Sequence, residues 1–316
     1  MNRPTGRQEE LDFAKAIMIV LMVAFHLGWF TESHPYAKAI VYTFHMPVFL
    51  LISGYFCRVA ERRKMMERLL WLAIPYIVME TGYILMCTQL PVKEHLDAFN
   101  LETWLYHTFI HPLGPYWYIH TLGICMAVSH LTFRYNLGRS TVGNLIISLL
   151  VLALLKRLVL MENAMYFMTG IALGTTHTRI TKVVTPSWLS LLPLAWLLCY
   201  EENMSRGCLA GVAITWLAFS ICLKLWPMAR KGWGNSLWTT LGRNTFSILL
   251  FSPIFTLLCK ELIPIFRWDP TRLTYMMAAT TISLAGCLIL TKIFDWIGLS
   301  RFFFGKKKVL YLPNSH

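Results

Sequence analysis

Leu11-Asp-Phe-Ala-Lys15-Ala-Ile-Met-Ile-Val-Leu-Met-Val-Ala-Phe-His26 is an apolar run long enough to enter a bilayer, yet it carries a lysine near its start and a histidine at its end. Eleven positions separate Lys15 from His26. At about 100° per residue they return to within roughly 20° of one helix face after about 16 Å of rise, so one stripe of a predicted helix over 11–30 bears both groups. Stranding an ionisable side chain in hydrocarbon costs several kcal/mol, and such a residue reads first as a functional site. The ten residues before the run are polar and lead directly into it, which is not the pattern of a cleavable signal.

The rest of the chain has the same character. Of its 316 residues 56% are hydrophobic and 14% charged, where a soluble domain carries about 25% charged residues. Mean hydropathy is +0.52. This composition predicts an all-α, polytopic transmembrane helix bundle forming a single integral-membrane domain over 1–316, with no appended soluble domain. Apolar runs place about ten spans, near 11–30, 39–57, 69–88, 115–133, 141–161, 164–178, 187–200, 207–226, 244–263 and 274–296. Basic clusters alternate with them: Arg58 to Arg68, Arg134 and Arg139, Arg179 and Lys182, Arg230, Lys231 and Arg243, and Lys306 to Lys308. By the positive-inside rule both termini are expected in the cytoplasm, with Lys156 and Arg157 as an exception to the pattern. The net charge of +13 is therefore read as topology signals and headgroup contacts, so the expected partner is a phospholipid bilayer and not nucleic acid. The eight cysteines are scattered through apolar stretches without a Cys-x-x-Cys pair, which favours free buried thiols over disulfides or zinc.

The second run, Phe44-His45-Met46-Pro47-Val48-Phe49-Leu50-Leu51-Ile52-Ser53-Gly54-Tyr55-Phe56, adds a second imidazole. A short connection makes the first two spans antiparallel neighbours. His26 lies about four residues before the exit of one and His45 about six after the entry of the other, so both are expected at similar depth and facing one cavity. Pro47 has no N–H for the carbonyl of Thr43, which frees a polar carbonyl beside His45. His107 and His111 are four apart but lack the zincin glutamate, and no metal site is expected.

The stretch from Asp12 to His26, the Phe-His-Met-Pro…Ser-Gly-Tyr-Phe block, Arg68-Leu-Leu-Trp-Leu-Ala-Ile-Pro75-Tyr76, Gly114-Pro-Tyr-Trp117-Tyr118, Phe167-Met-Thr-Gly170-Ile-Ala-Leu-Gly174 and Gly242-Arg-Asn244-Thr-Phe-Ser-Ile248 together resemble the membrane acyltransferase-3 family, in family order across nearly the whole chain. The resemblance implies a bacterial inner-membrane enzyme that O-acylates, mostly O-acetylates, surface carbohydrates, with acetyl-CoA as the usual donor. Its hallmark, a basic residue followed eleven positions later by an essential histidine, corresponds to Lys15 and His26. Two departures stand out. Lys15 occupies a position where many members have arginine, replacing a planar fork by a point charge. Leu250-Phe251-Ser252-Pro253 stands where many members carry a late histidine.

Transfer of an acetyl group from a thioester to a sugar hydroxyl needs a base, stabilisation of the oxyanion and a route for a bulky donor. His26 is the expected base or nucleophile. His45 is expected to polarise the acyl carbonyl or orient the acceptor, or else merely to bond a loop carbonyl near the far interface. The coenzyme phosphates are expected at Lys15 and the Arg62, Arg63 and Arg68 cluster, although Lys15 pairing with Asp12 or snorkelling to headgroups is the plainer reading. Ser53, Trp117 and Asn244 are the expected contacts to a glycan or lipid-linked saccharide acceptor. Against those roles, Ser53 and Gly54 also suit close helix packing and Trp117 suits a membrane interface. A transporter or flippase of a lipid-linked sugar, or an inactive scaffold, would use the same composition, but the polar load is concentrated in the first two spans and no paired halves are visible.

Overall fold

A computed structural model describes residues 8–59, 61–89, 95–176, 178–232 and 234–313, with the side chain of Arg62 outside that set. Every regular element among these residues is helical: α1 (Glu9–Phe25), α2 (Gly28–Ser33), α3 (Pro35–Tyr55), α4 (Arg62–Gln89), α5 (Leu101–Phe109), α6 (Trp117–Arg134), α7 (Thr141–Leu154), α8 (Met161–Thr175), α9 (Ile180–Val183), α10 (Leu191–Leu197), α11 (Leu209–Lys231), α12 (Asn235–Arg243), α13 (Thr245–Leu258), α14 (Leu273–Trp296) and α15 (Ser300–Phe303). Among the described residues five segments are long and apolar enough to cross a membrane: Pro35–Tyr55, Arg63–Gln89, Leu209–Lys231, Thr245–Phe266 and Leu273–Trp296. The last but one continues α13 through a 3₁₀ stretch, Cys259–Phe266.

Several predicted spans are shorter than their apolar runs. α1 has 17 residues, about 25 Å of helix, and stops at Phe25 instead of continuing to position 30. The predicted 141–161 span ends at Leu154, and Lys156 and Arg157 lie exposed in the connection to α8. The 187–200 run breaks into a 3₁₀ turn at Trp188–Ser190 and the seven-residue α10; the Ser187 hydroxyl accepts from the amide of Leu189 and so takes a backbone group at the start of the turn.

The chain divides into two compact units. The first contains Met1–Phe49, His177–Gly298 and Lys308–His316. Its axis is α1, which packs against α11, α12, α13 and α14. A helix enclosed in this way is apolar on all sides: Leu11, Ala14, Ala16, Met18, Ile19, Met22 and Val23 are all buried. Phe13 sits between Trp226 and Trp238, with ring centroids 5.6 and 5.4 Å away. α12 crosses α1 at Gly242, where a Cβ would collide with the carbonyl of Asp12, so glycine sets the approach of the two backbones. At the other end α2 lies on α14 through Leu27, Phe30, Cys259, Tyr275 and Ala279.

The second unit contains Leu50–Thr176 and Leu299–Lys307. Here α6 packs on α4, α7 and α8. The small-xxx-small pair Gly170 and Gly174 lets α8 approach the last turn of α3, since a Cβ on Gly170 would overlap the carbonyl of Leu51. The turn after α5 is fastened by three buried side chains. Tyr76 Oη donates to Thr108 O at 2.6 Å, Glu80 Oε1 accepts from Leu113 N at 2.6 Å, and a His120 ring nitrogen lies 2.9 Å from Phe109 O.

Candidate active site

The C-terminal end of α1 is built around His26. Its φ of −92° and ψ of −4° keep it near helical geometry, but Leu27 extends with ψ of 97°, and Gly28 begins a new helix. The residue expected four positions inside the span is therefore its cap. His26 Nδ1 lies 2.6 Å from Met22 O. A carbonyl only accepts, so Nδ1 carries the proton and the neutral ring presents the lone pair of Nε2. His45 repeats the arrangement one helix on: its Nδ1 lies 2.6 Å from Val41 O. The His45 ring is buried at 2% exposure, and its Nε2 has no hydrogen-bond partner among the described residues. Both imidazoles are thus fixed in the tautomer whose outer nitrogen can take up a proton.

Tyr42 stands between them. Its ring centroid is 5.8 Å from that of His26 and 5.2 Å from that of His45. Its hydroxyl donates to Phe25 O at 3.1 Å, pinning α3 to the end of α1 at the residue before His26. The two histidines expected to share one cavity are brought together around a tyrosine that the sequence reading passed over. Its signal was present, because Lys38, Tyr42 and His45 follow the i, i+4, i+7 spacing of one helix face. The carbonyl freed by Pro47 is also engaged: Thr215 Oγ1 of α11 lies 3.2 Å from Thr43 O.

Lys15 occupies the opposite end of α1. Its Nζ lies 2.8 Å from Asp12 Oδ1, and Arg243 Nε lies 3.8 Å from Asp12 Oδ2. The Arg243 guanidinium stacks 3.5 Å over the ring of Tyr311. Two cations therefore flank one carboxylate about 16 Å of helix from His26. Sequence reasoning had treated Arg243 only as a topology signal.

Asn244 is buried beside this cluster, and its amide is engaged by the chain itself. Nδ2 donates to Tyr311 O at 2.9 Å and to Thr240 O at 2.7 Å, while Oδ1 accepts from Tyr311 N at 2.9 Å. Asp295 takes the amides of Val309 and Leu310, so Lys308–Pro313 is strapped along the unit.

The remaining expected residues belong to the second unit. Ser53 Oγ lies 3.0 Å from Tyr118 Oη, next to the half-buried Trp117, making a small polar and aromatic patch. Arg63 is highly exposed and pairs with Glu67 at 3.3 Å; Arg68 is exposed too. The side chain of Arg62 lies outside the described residues.

A helical protein with several membrane-length helices is a multi-pass membrane protein. The acyltransferase-3 profile, described as an acyltransferase domain, matches residues 8–292, and the chain belongs to this family. The nodulation protein NolL of Mesorhizobium japonicum is 30% identical over 147 residues, which cover 42% of this chain. The matched part spans 37% of that relative's length. No solved structure matches the chain.

Proposed function

We propose that the protein is a membrane O-acyltransferase that moves an acetyl group from acetyl-CoA to a hydroxyl of a cell-surface or lipid-linked glycan, in a bacterial inner membrane with both termini in the cytoplasm. The observation that carries this reading is the pair His26 and His45 around Tyr42, each holding its proton on Nδ1. Family membership supports the acyl-transfer chemistry.

In this reading the phosphates of the donor rest against Lys15 and Arg243. The pantetheine arm runs along α1 toward His26. His26 Nε2 takes the proton of the acceptor hydroxyl as its oxygen attacks the thioester carbonyl. The C–O bond forms, the C–S bond breaks, and the proton passes to the departing thiolate, giving an ester and free CoA. An acyl-imidazole on His26, formed first and then attacked by the acceptor, gives the same products. His45 orients the acceptor or polarises the carbonyl. Asn244 contributes by holding the Tyr311 segment under Arg243.

Purified protein with acetyl-labelled CoA and a glycan extract tests the reading. Label is expected in the glycan with wild-type protein and absent with His26→Ala. Substrate movement across vesicles without consumption of acetyl-CoA would replace the enzyme by a transporter.

A further inference from the structure

Phe13, two residues before Lys15 on α1, has an indole on either side: Trp226 near the end of α11 and Trp238 in α12. Trp238 lies one turn before Gly242, whose close approach to the carbonyl of Asp12 sets α12 on α1. Arg243 follows directly and faces one oxygen of Asp12 while Lys15 takes the other. The indole pair and the two cations are thus neighbours on one stretch of α1, and Phe13, the ring the indoles clasp, is farther from His26 than Lys15 is. Phe13 is sealed at 4% exposure, whereas both tryptophans are only half-buried, so each keeps surface for a further partner. A tryptophan that merely anchors a helix turns out toward headgroups, but these two turn in on one buried ring. The turn between their helices stays uncrowded. A Cβ on Gly234 would come within 3.2 Å of Trp238 Nε1, and one on Gly232 would meet nothing closer than 3.7 Å. Arg230, one turn after Trp226 on the same helix face, is exposed and puts a cation beside that indole.

We infer that Trp226 and Trp238 form the purine subsite of the donor, so that the protein selects its thioester by the nucleotide base as well as by phosphate. This assignment rests on the acyltransferase reading and adds the recognition of the base to it. The pantetheine arm leaves the phosphate site at Lys15 and Arg243 toward His26. The nucleoside at the other end of the diphosphate then lies on the far side of that site, where the flat surfaces are the two indoles. A purine stacks on tryptophan through its π face, which supplies affinity where no hydrogen-bonding edge is offered.

Two comparisons test the inference. The first sets acetyl-CoA beside its abasic analogue, which keeps every phosphate and carries hydrogen in place of the base. The second follows the ethenoadenine analogue of CoA, whose fluorescence falls when the base stacks on an indole. Acetyl-CoA is expected to exceed the abasic donor about tenfold in kcat/KM, mainly through KM, and the etheno analogue to be quenched on binding. Trp226→Leu and Trp238→Leu are each expected to shrink the donor preference severalfold and to weaken the quenching, while Trp226→Phe and Trp238→Phe retain most of both. Equal use of the two donors overturns the inference and leaves acetyl transfer standing, as does a preference that both leucine variants keep in full. Bound etheno analogue with undiminished emission overturns it too. The wild-type donor ratio and quenching decide even where a leucine variant fails to fold. A protein that binds no etheno analogue and consumes neither donor overturns the acyltransferase reading and the inference with it.

Discussion

Asp12 and Lys15 form an ion pair of 2.8 Å across one turn of α1, and the second oxygen of the same carboxylate faces Arg243. The basic member of the lysine–histidine pair is therefore held in place by the fold, at 22% side-chain exposure, and is not a loose headgroup anchor. Removing Asp12 leaves two cations side by side with their organising charge gone. Asp12→Asn is expected to lower stability by about 2 kcal/mol, read as a fall in melting temperature in detergent. Lys15→Ala is expected to raise the KM for acetyl-CoA about tenfold with a smaller change in kcat. An unchanged donor KM would return Lys15 to a purely structural role in the Asp12 pair.

The two histidines should separate by role. His26→Ala is expected to reduce kcat by about 10²- to 10⁴-fold, the range of a lost base or nucleophile, with the protein still inserted and monodisperse. Tyr42→Phe keeps the ring between the imidazoles and deletes only the hydroxyl that bonds Phe25 O. A drop of a few fold in kcat is expected from looser placement of His26, with donor KM unmoved. If Tyr42→Phe were as damaging as His26→Ala, the phenol itself would be the proton carrier.

What could be read in advance was what depends on near neighbours in the chain. The Asp12–Lys15 pair follows from i, i+3 spacing, and the carbonyl set free at Thr43 follows from the missing N–H of Pro47; both occur. α1 stops at Phe25 and a new helix opens at Gly28, but the run stays apolar on both sides of that lone glycine, so periodicity alone carries one span through it. The partners of Asn244 and Arg243 come from Tyr311, 67 positions or more along the chain, and no spacing rule connects them. The same blindness applies to Thr215, whose role depends on α11 lying beside α3.

Asn244 offers a test of structure against substrate. Its amide makes both hydrogen bonds to the Tyr311 backbone, and alanine there would remove the partner of these partly buried peptide groups. The expected cost is about 2–3 kcal/mol. Limited proteolysis should release the segment following Lys308 from Asn244→Ala faster than from wild type. A variant that keeps its melting temperature and protease resistance but shows a raised acceptor KM would instead make Asn244 an acceptor contact.

Asp269 lies outside the membrane spans and caps α14. Oδ1 accepts from the hydroxyl and the amide of Thr271, at 2.6 and 2.9 Å, and Oδ2 from the hydroxyl and the amide of Thr274, at 2.7 and 2.9 Å. The Thr271 hydroxyl first, then the Thr274 amide and hydroxyl, hold its carboxyl below the ordinary carboxylate range. A depressed folded pKa means that the charged cap stabilises the fold fully above the unfolded carboxylate value, about 3.9, and that this contribution fades as pH falls through the lower folded value. Asp269→Asn should therefore melt earlier than wild type at pH 7, and the gap should narrow as the pH is taken below about 4. Melting curves of both proteins between pH 3 and 8 check the sign. A gap that stays constant over that range would show that the cap acts through its shape and neutral hydrogen bonds and not through its charge.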